Sequence, residues 1–177
     1  FFFFKQKTAY EIPKRDWSSD VCSSDLGSAS KAYAMTGWRC GWTIGPAKMI
    51  AACNALQSHT TSNVNSITQK AVVEALNGSQ TPVTTMLDEY RVRRDNLYGW
   101  LTADPRIKCL KPAGAFYMFP DISEAMAAGG FKTSIDFAQA LLDDQRVAVT
   151  PGEAFDSPGF IRMSYATSME NLKEGTR

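Results

Sequence analysis

A chain of 177 residues, 44% hydrophobic and 21% charged, is long enough to close a core and too ordinary in charge for a disordered segment. With 19 basic and 18 acidic residues it carries no electrostatic footprint for nucleic acid or anionic lipid, so small, roughly neutral partners are expected. Cys22, Cys40, Cys53 and Cys109 form no CxxC pair, which argues against a zinc site and a disulfide framework and fits a reducing cytosol. No run approaches the roughly 18 apolar residues of a membrane-spanning helix, and the opening phenylalanine run is too short for a secretory core. A soluble, cytoplasmic protein without metal, membrane or nucleic-acid ligands is expected.

Residues 1–26 have no amphipathic period and meet the patterned stretch after them abruptly. Residues 16–26 are similar to the translation of a common sequencing-library adapter, and residues 5–12 to its other arm. Residues 13–15 would span the variable index between the arms, and both arms lie in one frame. Like a tag, this segment is set aside from fold reasoning, and a native N-terminal part is expected to be missing upstream of Gly27. The alternative is a natural flexible tail.

In chain order, residues 39–46 read as a short strand ended by Gly45-Pro46. Met49, Ile50, Cys53 and Leu56 recur at helical spacing over 47–57. Ile67, Ala71, Val72 and Leu76 do so over 66–76, before an Asn77-Gly78 stop, so two amphipathic helices are expected. Residues 81–101 form a long helix with Pro82 in its first turn. Its Arg91, Arg93 and Arg94 stand near Asp88, Glu89 and Asp95, which predicts a solvated, self-compensating face. Short strands are then expected at 107–110, 115–119, 147–150 and 160–166. A helix capped by Ser134 is expected over 134–144, a turn at Pro151-Gly152, and a last helix opening at Ser168 that stops without a hydrophobic second half, as if truncated. The domains expected are 27–80, and 81–177 as a connecting helix with a smaller module.

Ser28, Ser30, Lys31 and Arg39 place two hydroxyls, an amine and a guanidinium within a short run of small residues. A planar guanidinium suits phosphate, and a partly desolvated lysine becomes nucleophilic. On spacing alone, two solvated cations beside a glycine turn explain the pair as well. The wording goes further, because Ser28-x-Ser30-Lys31 followed by Met35-Thr36-Gly37-Trp38-Arg39-x-Gly41-Trp42 resembles the lysine motif of the class I aminotransferases, enzymes of the fold type I pyridoxal-phosphate class. The resemblance continues through Pro112-x-Gly114-Ala115-Phe116-Tyr117, Val149-x-Pro151-Gly152-x-x-Phe155 and Phe160-Ile161-Arg162-x-Ser164-Tyr165-Ala166, and covers residues 27–177. Within the family it is most similar to bacterial aspartate aminotransferases and their relatives acting on aromatic or prephenate-type substrates.

The resemblance implies an α/β fold that is part of the pyridoxal-phosphate-dependent transferase fold, with 27–80 the edge of a large cofactor-binding domain and 81–177 a small α+β domain. It implies pyridoxal 5'-phosphate as cofactor, anchored covalently by Lys31, its phosphate held by Arg39 and Ser28. Arg162 would grip the substrate α-carboxylate, where the plain alternative is an edge-strand arginine in solvent. An L-amino acid, aspartate first, and a 2-oxo acid, 2-oxoglutarate first, would be the small-molecule partners, in a ping-pong exchange carried out by a homodimer. The family's acidic residue at the pyridinium nitrogen, its ring-stacking aromatic and its phosphate-cradling loop are expected before Lys31, so this polypeptide alone should be barely active. Two alternatives keep the fold: another reaction on the same cofactor, such as carbon–sulfur lysis, and the sensor domain of a transcription regulator. Gly114, Phe116 and Tyr117 are expected to shape the small sheet, Trp38, Trp42 and Trp100 to be core, and His59 to be a loop or cap residue.

Overall fold

The computed structural model describes residues 25–177, so the adapter-like reading of 1–26 falls outside the described residues except at Asp25 and Leu26, which are paired in a strand. The chain divides into two compact units, one ending at Val83 and the other running from Thr84 to Arg177. Each mixes helices with short strands, as an α/β chain should.

In the first unit, β1 (Asp25–Ser28) pairs antiparallel with β2 (Gly41–Ile44), Ser28 opposite Gly41. Between them lie a single helical turn, α1 (Ala29–Ala32), and a 3₁₀ turn at Thr36–Trp38. Two longer helices follow, α2 (Ala47–Thr60) and α3 (Ser66–Asn77). The α3 start is set by Asn65, whose side-chain oxygen accepts from the N–H groups of Ile67 and Thr68. Ala29, Met35, Cys40 and Val72 form the buried cluster, with Trp42 and Leu76 against it.

Two expectations change here. The helix at 47–57 forms, and runs on through His59, but none of its residues is buried and Leu56 is 68% exposed. Spacing settles that a helix forms, while burial depends on what faces it. Trp38, expected in the core, is 46% exposed, because the 3₁₀ turn carries it to the lip of an open cleft.

The helix α4 (Thr81–Leu101) matches its expected bounds, and from Thr84 on it belongs to the second unit, where Leu97 and Leu101 join a core completed by Met118, Tyr165 and Leu172. Arg91 pairs with Asp88 at 2.7 Å in solvent, but Arg93 and Arg94 are largely covered, since Arg94 donates from Nη1 to the carbonyl of Pro112 at 3.3 Å and Arg93 lies over the Tyr90 ring. The sheet has the order β3-β5-β4, all antiparallel, with β3 (Tyr117–Met118), β4 (Thr150–Pro151) and β5 (Ile161–Ser164).

These strands are shorter than their hydrophobic patterns. The expected strand at 107–110 is only a bridge between Lys108 and Asp121. Ala115 has φ 61°, a left-handed backbone that delays β3 until Tyr117. At 147–150 the Val147 N–H is used by the carbonyl of Leu141 at 3.1 Å, closing a helix end, so pairing starts only at Thr150. An unforeseen short helix, α5 (Ser123–Gly129), ends at Gly130, where φ 75° suits glycine.

The cap of α6 (Ser134–Gln145) also differs from expectation. It is Thr133, whose hydroxyl accepts from the Asp136 N–H at 3.1 Å, while Ser134 is fully buried and its Oγ accepts from Gly159 N–H at 2.9 Å. Thr133→Ala therefore lowers stability by about 1 kcal/mol, read as a shift of the denaturant midpoint with the slope unchanged. A variant as stable as the parent would show that the cap contributes nothing. The last helix, α7 (Met169–Glu174), opens on Ser168 as expected.

Candidate active site

The segment between β1 and β2 must leave one strand, turn twice and return to its neighbour. Ser28 starts this by capping α1, its Oγ accepting from the Ser30 N–H at 3.0 Å, donating its one proton to the Cys40 carbonyl at 3.2 Å and lying 2.8 Å from Ser30 Oγ, whose hydroxyl can donate to it. Thr36 Oγ1 donates to the Ser30 carbonyl at 3.0 Å and ties the second turn to the first. Both reversals use left-handed backbone at non-glycine residues, Ala34 at φ 53° and Arg39 at φ 52°. Ala29 and Cys40 face the core and bond to each other through backbone N–H and carbonyl at 3.2 Å. That inward anchoring turns Ser28, Lys31 and Arg39 outward, and all three are exposed. A Cβ on Gly27 would lie 2.1 Å from Trp42 Nε1, so only glycine lets this indole lie against β1.

Ser28, Ser30, Arg39, Cys40 and Gly41 line a small cleft of about 260 Å³. Its side chains offer two hydroxyls and one guanidinium and no carboxylate, the donor set of an anion site. Burial pushes the Cys40 thiol up, so it stays protonated and acts as packing. Arg39 is held by its own turn, Nη1 donating to the Thr36 carbonyl at 3.2 Å. It also lines a wider open cleft with Trp38, Asn63 and Thr68. Lys31 follows Ser30 directly in α1. The structure thus brings Ser28 and Arg39 to one cleft with Lys31 in the adjoining turn, and Ser30, the second hydroxyl grouped with them in the sequence, lines the same cleft.

Arg162 belongs to the second unit. It stands on β5, the central strand of its sheet, and not on an edge in solvent. Its Cζ is 4.6 Å from the ring centroids of both Tyr117 and Phe155, and Nη2 donates to Thr150 Oγ1 at 3.4 Å. The guanidinium is half-buried, and among the described residues no carboxylate is within ion-pair distance of it. Tyr117 and Phe155 were expected only as sheet-shaping or motif residues, because their contact with Arg162 depends on strand pairing that spacing does not show. Tyr165, close to Arg162 in sequence, is core, its hydroxyl donating to the Ala115 carbonyl at 2.9 Å.

Comparison with known proteins agrees with this picture. The family model for aminotransferase class I and II matches residues 2–177. The aspartate aminotransferase of Bacillus subtilis is 42% identical over 149 residues, covering 84% of this chain and 38% of that protein. The aspartate/prephenate aminotransferase of Nitrosomonas europaea is 42% identical over 158 residues, covering 86% and 40%. Among solved structures, the aspartate aminotransferase of Rhizobium meliloti superposes with a TM-score of 0.81 at 42% identity, over 86% of this chain and 40% of that one. The aromatic aminotransferase of Pyrococcus horikoshii gives a TM-score of 0.79 at 34% identity, over 86% of this chain and 40% of that one. The chain therefore spans about two fifths of the length of these relatives. Its fold is part of their α/β fold, and the chain belongs to the class I and II aminotransferase family.

Proposed function

We propose that this chain is part of a cytosolic, homodimeric aminotransferase dependent on pyridoxal 5'-phosphate. It moves the amino group of an L-amino acid, aspartate first, to 2-oxoglutarate in two half-reactions. The observation that carries this reading is the cleft lined by two hydroxyls and a guanidinium, with no acid, whose Ser30 directly precedes Lys31 in the chain.

In this reading Arg39 and Ser28 bind the phosphate by charge-assisted and hydroxyl hydrogen bonds. Lys31 Nζ would be the covalent anchor, and as a free amine it would move a proton to and from the substrate α-carbon. When bound, the cofactor supplies the electron sink that stabilises charge at that carbon. Arg162 holds the α-carboxylate common to amino acid and oxo acid, so one guanidinium serves both half-reactions. Because the chain spans about two fifths of its relatives' length, the groups facing the pyridine ring are assigned to residues outside it. The chain alone then binds the cofactor weakly and turns over slowly.

The test uses the full-length protein. Aspartate alone yields one equivalent of its oxo acid per subunit and stops, and 2-oxoglutarate restarts the cycle. Continuous oxo-acid release without an acceptor contradicts a transferase, and a preference for phenylalanine over aspartate in kcat/KM moves the assignment to an aromatic substrate.

A further inference from the structure

We infer that Phe155 and Tyr117 are positioning residues that hold the Arg162 guanidinium in the orientation in which it accepts a carboxylate. This deepens the reading of Arg162 given above and rests on it. Two ring centroids at 4.6 Å from Cζ contact a half-buried guanidinium that has no acidic partner among the described residues. Aromatic rings attract a guanidinium without taking up its in-plane N–H groups, so they can fix the plane and leave the donor edge open. The single hydrogen bond to Thr150 Oγ1 is long, at 3.4 Å, which leaves the orientation to the rings.

Phe155 is held for this task from several sides. It ends the 3₁₀ turn Gly152–Phe155, whose Glu153 Oε1 accepts from the Ser134 N–H at 2.8 Å. The same Ser134 bonds Gly159 through its Oγ, so one fully buried serine pins the chain on both sides of Phe155. Gly152 N–H donates to the Phe160 carbonyl at 2.8 Å, and a Cβ on Gly152 would come within 2.0 Å of the Ser157 carbonyl. Phe119 meets the Phe155 ring edge-on at 5.9 Å, yet Phe155 is still 41% exposed, a poor use of a phenylalanine that served only the core. A guanidinium oriented in advance loses less freedom on binding, which strengthens a two-pronged carboxylate pair. Amino acid and oxo acid share the α-carboxylate, so the effect is the same for both and independent of side chain.

The experiment uses the full-length enzyme and four variants, Phe155→Leu, Phe155→Met, Phe155→Tyr and Arg162→Lys, with succinate as a non-reacting probe titrated by calorimetry. Phe155→Leu raises KM for aspartate, KM for the oxo-acid acceptor and the Kd of succinate by a common factor of roughly 2- to 30-fold, while kcat changes much less. Phe155→Tyr, which keeps the ring face, restores all three. Phe155→Met repeats the test should the leucine variant fail to fold. An unchanged succinate Kd in Phe155→Leu with a raised one in Arg162→Lys overturns the positioning role and leaves the reading of Arg162 intact. An unchanged Kd in both overturns that reading itself. A KM rise confined to one substrate also overturns the inference.

Discussion

Lys31→Ala in the full-length protein lowers kcat by roughly 10²- to 10⁴-fold or more, the range that removal of a positioned proton-transfer group commands. Lys31 is exposed and lies in α1, whose start is held by the Ser28 hydroxyl, a contact that Lys31→Ala leaves in place. Lys31→Arg is expected to fail as well, because a guanidinium stays protonated and offers no nucleophilic amine. The check is steady-state turnover beside the thermal midpoint. A variant within tenfold of the parent rate removes Lys31 from the chemistry.

The second large effect is on cofactor affinity. Arg39→Ala removes the one cation that lines the small cleft among the described residues, and loss of hydrogen bonds to a charged group costs about 1.5–3 kcal/mol, or roughly 10- to 150-fold in Kd. Alanine at φ 52° inherits the left-handed backbone of Arg39, so the change reports the side chain and not relief of the turn. Titration with pyridoxal lacking its phosphate gives the control, since Arg39→Ala leaves that affinity unaltered if the guanidinium serves the phosphate. Equal losses for both compounds would place Arg39 elsewhere in the site. Ser28→Ala is a weaker probe, because the same hydroxyl caps α1 and its loss mixes affinity with stability.

How far the sequence reaches is visible in individual elements. Helices with a local boundary signal, the Asn77-Gly78 stop of α3 and Pro82 in the first turn of α4, lie where the pattern puts them. Strands of the second unit are shorter than their patterns, because an expected donor such as Val147 N–H goes to a helix end and a residue such as Ala115 turns left-handed. The cap at Thr133 is one residue from the expected Ser134, since both are hydroxyl residues and only burial separates their roles. Lys31, Ser28, Arg39 and Arg162 could be named from motif wording. The surroundings of Arg162 could not, because Tyr117 and the stretch 150–155 that carries Thr150 and Phe155 are distant in the chain and meet it through the pairing of β3 and β4 with β5. Likewise Ser134 has no motif, yet it holds the turn that carries Phe155.

The central assignment is a covalent one, and a single labelling measurement addresses it. Full-length protein incubated with pyridoxal 5'-phosphate, reduced with borohydride and digested should carry the cofactor mass on the peptide containing Lys31, at about one label per subunit, with no label in Lys31→Ala. A peptide containing Lys31 that stays unmodified while label appears on another lysine, or on none, contradicts the account.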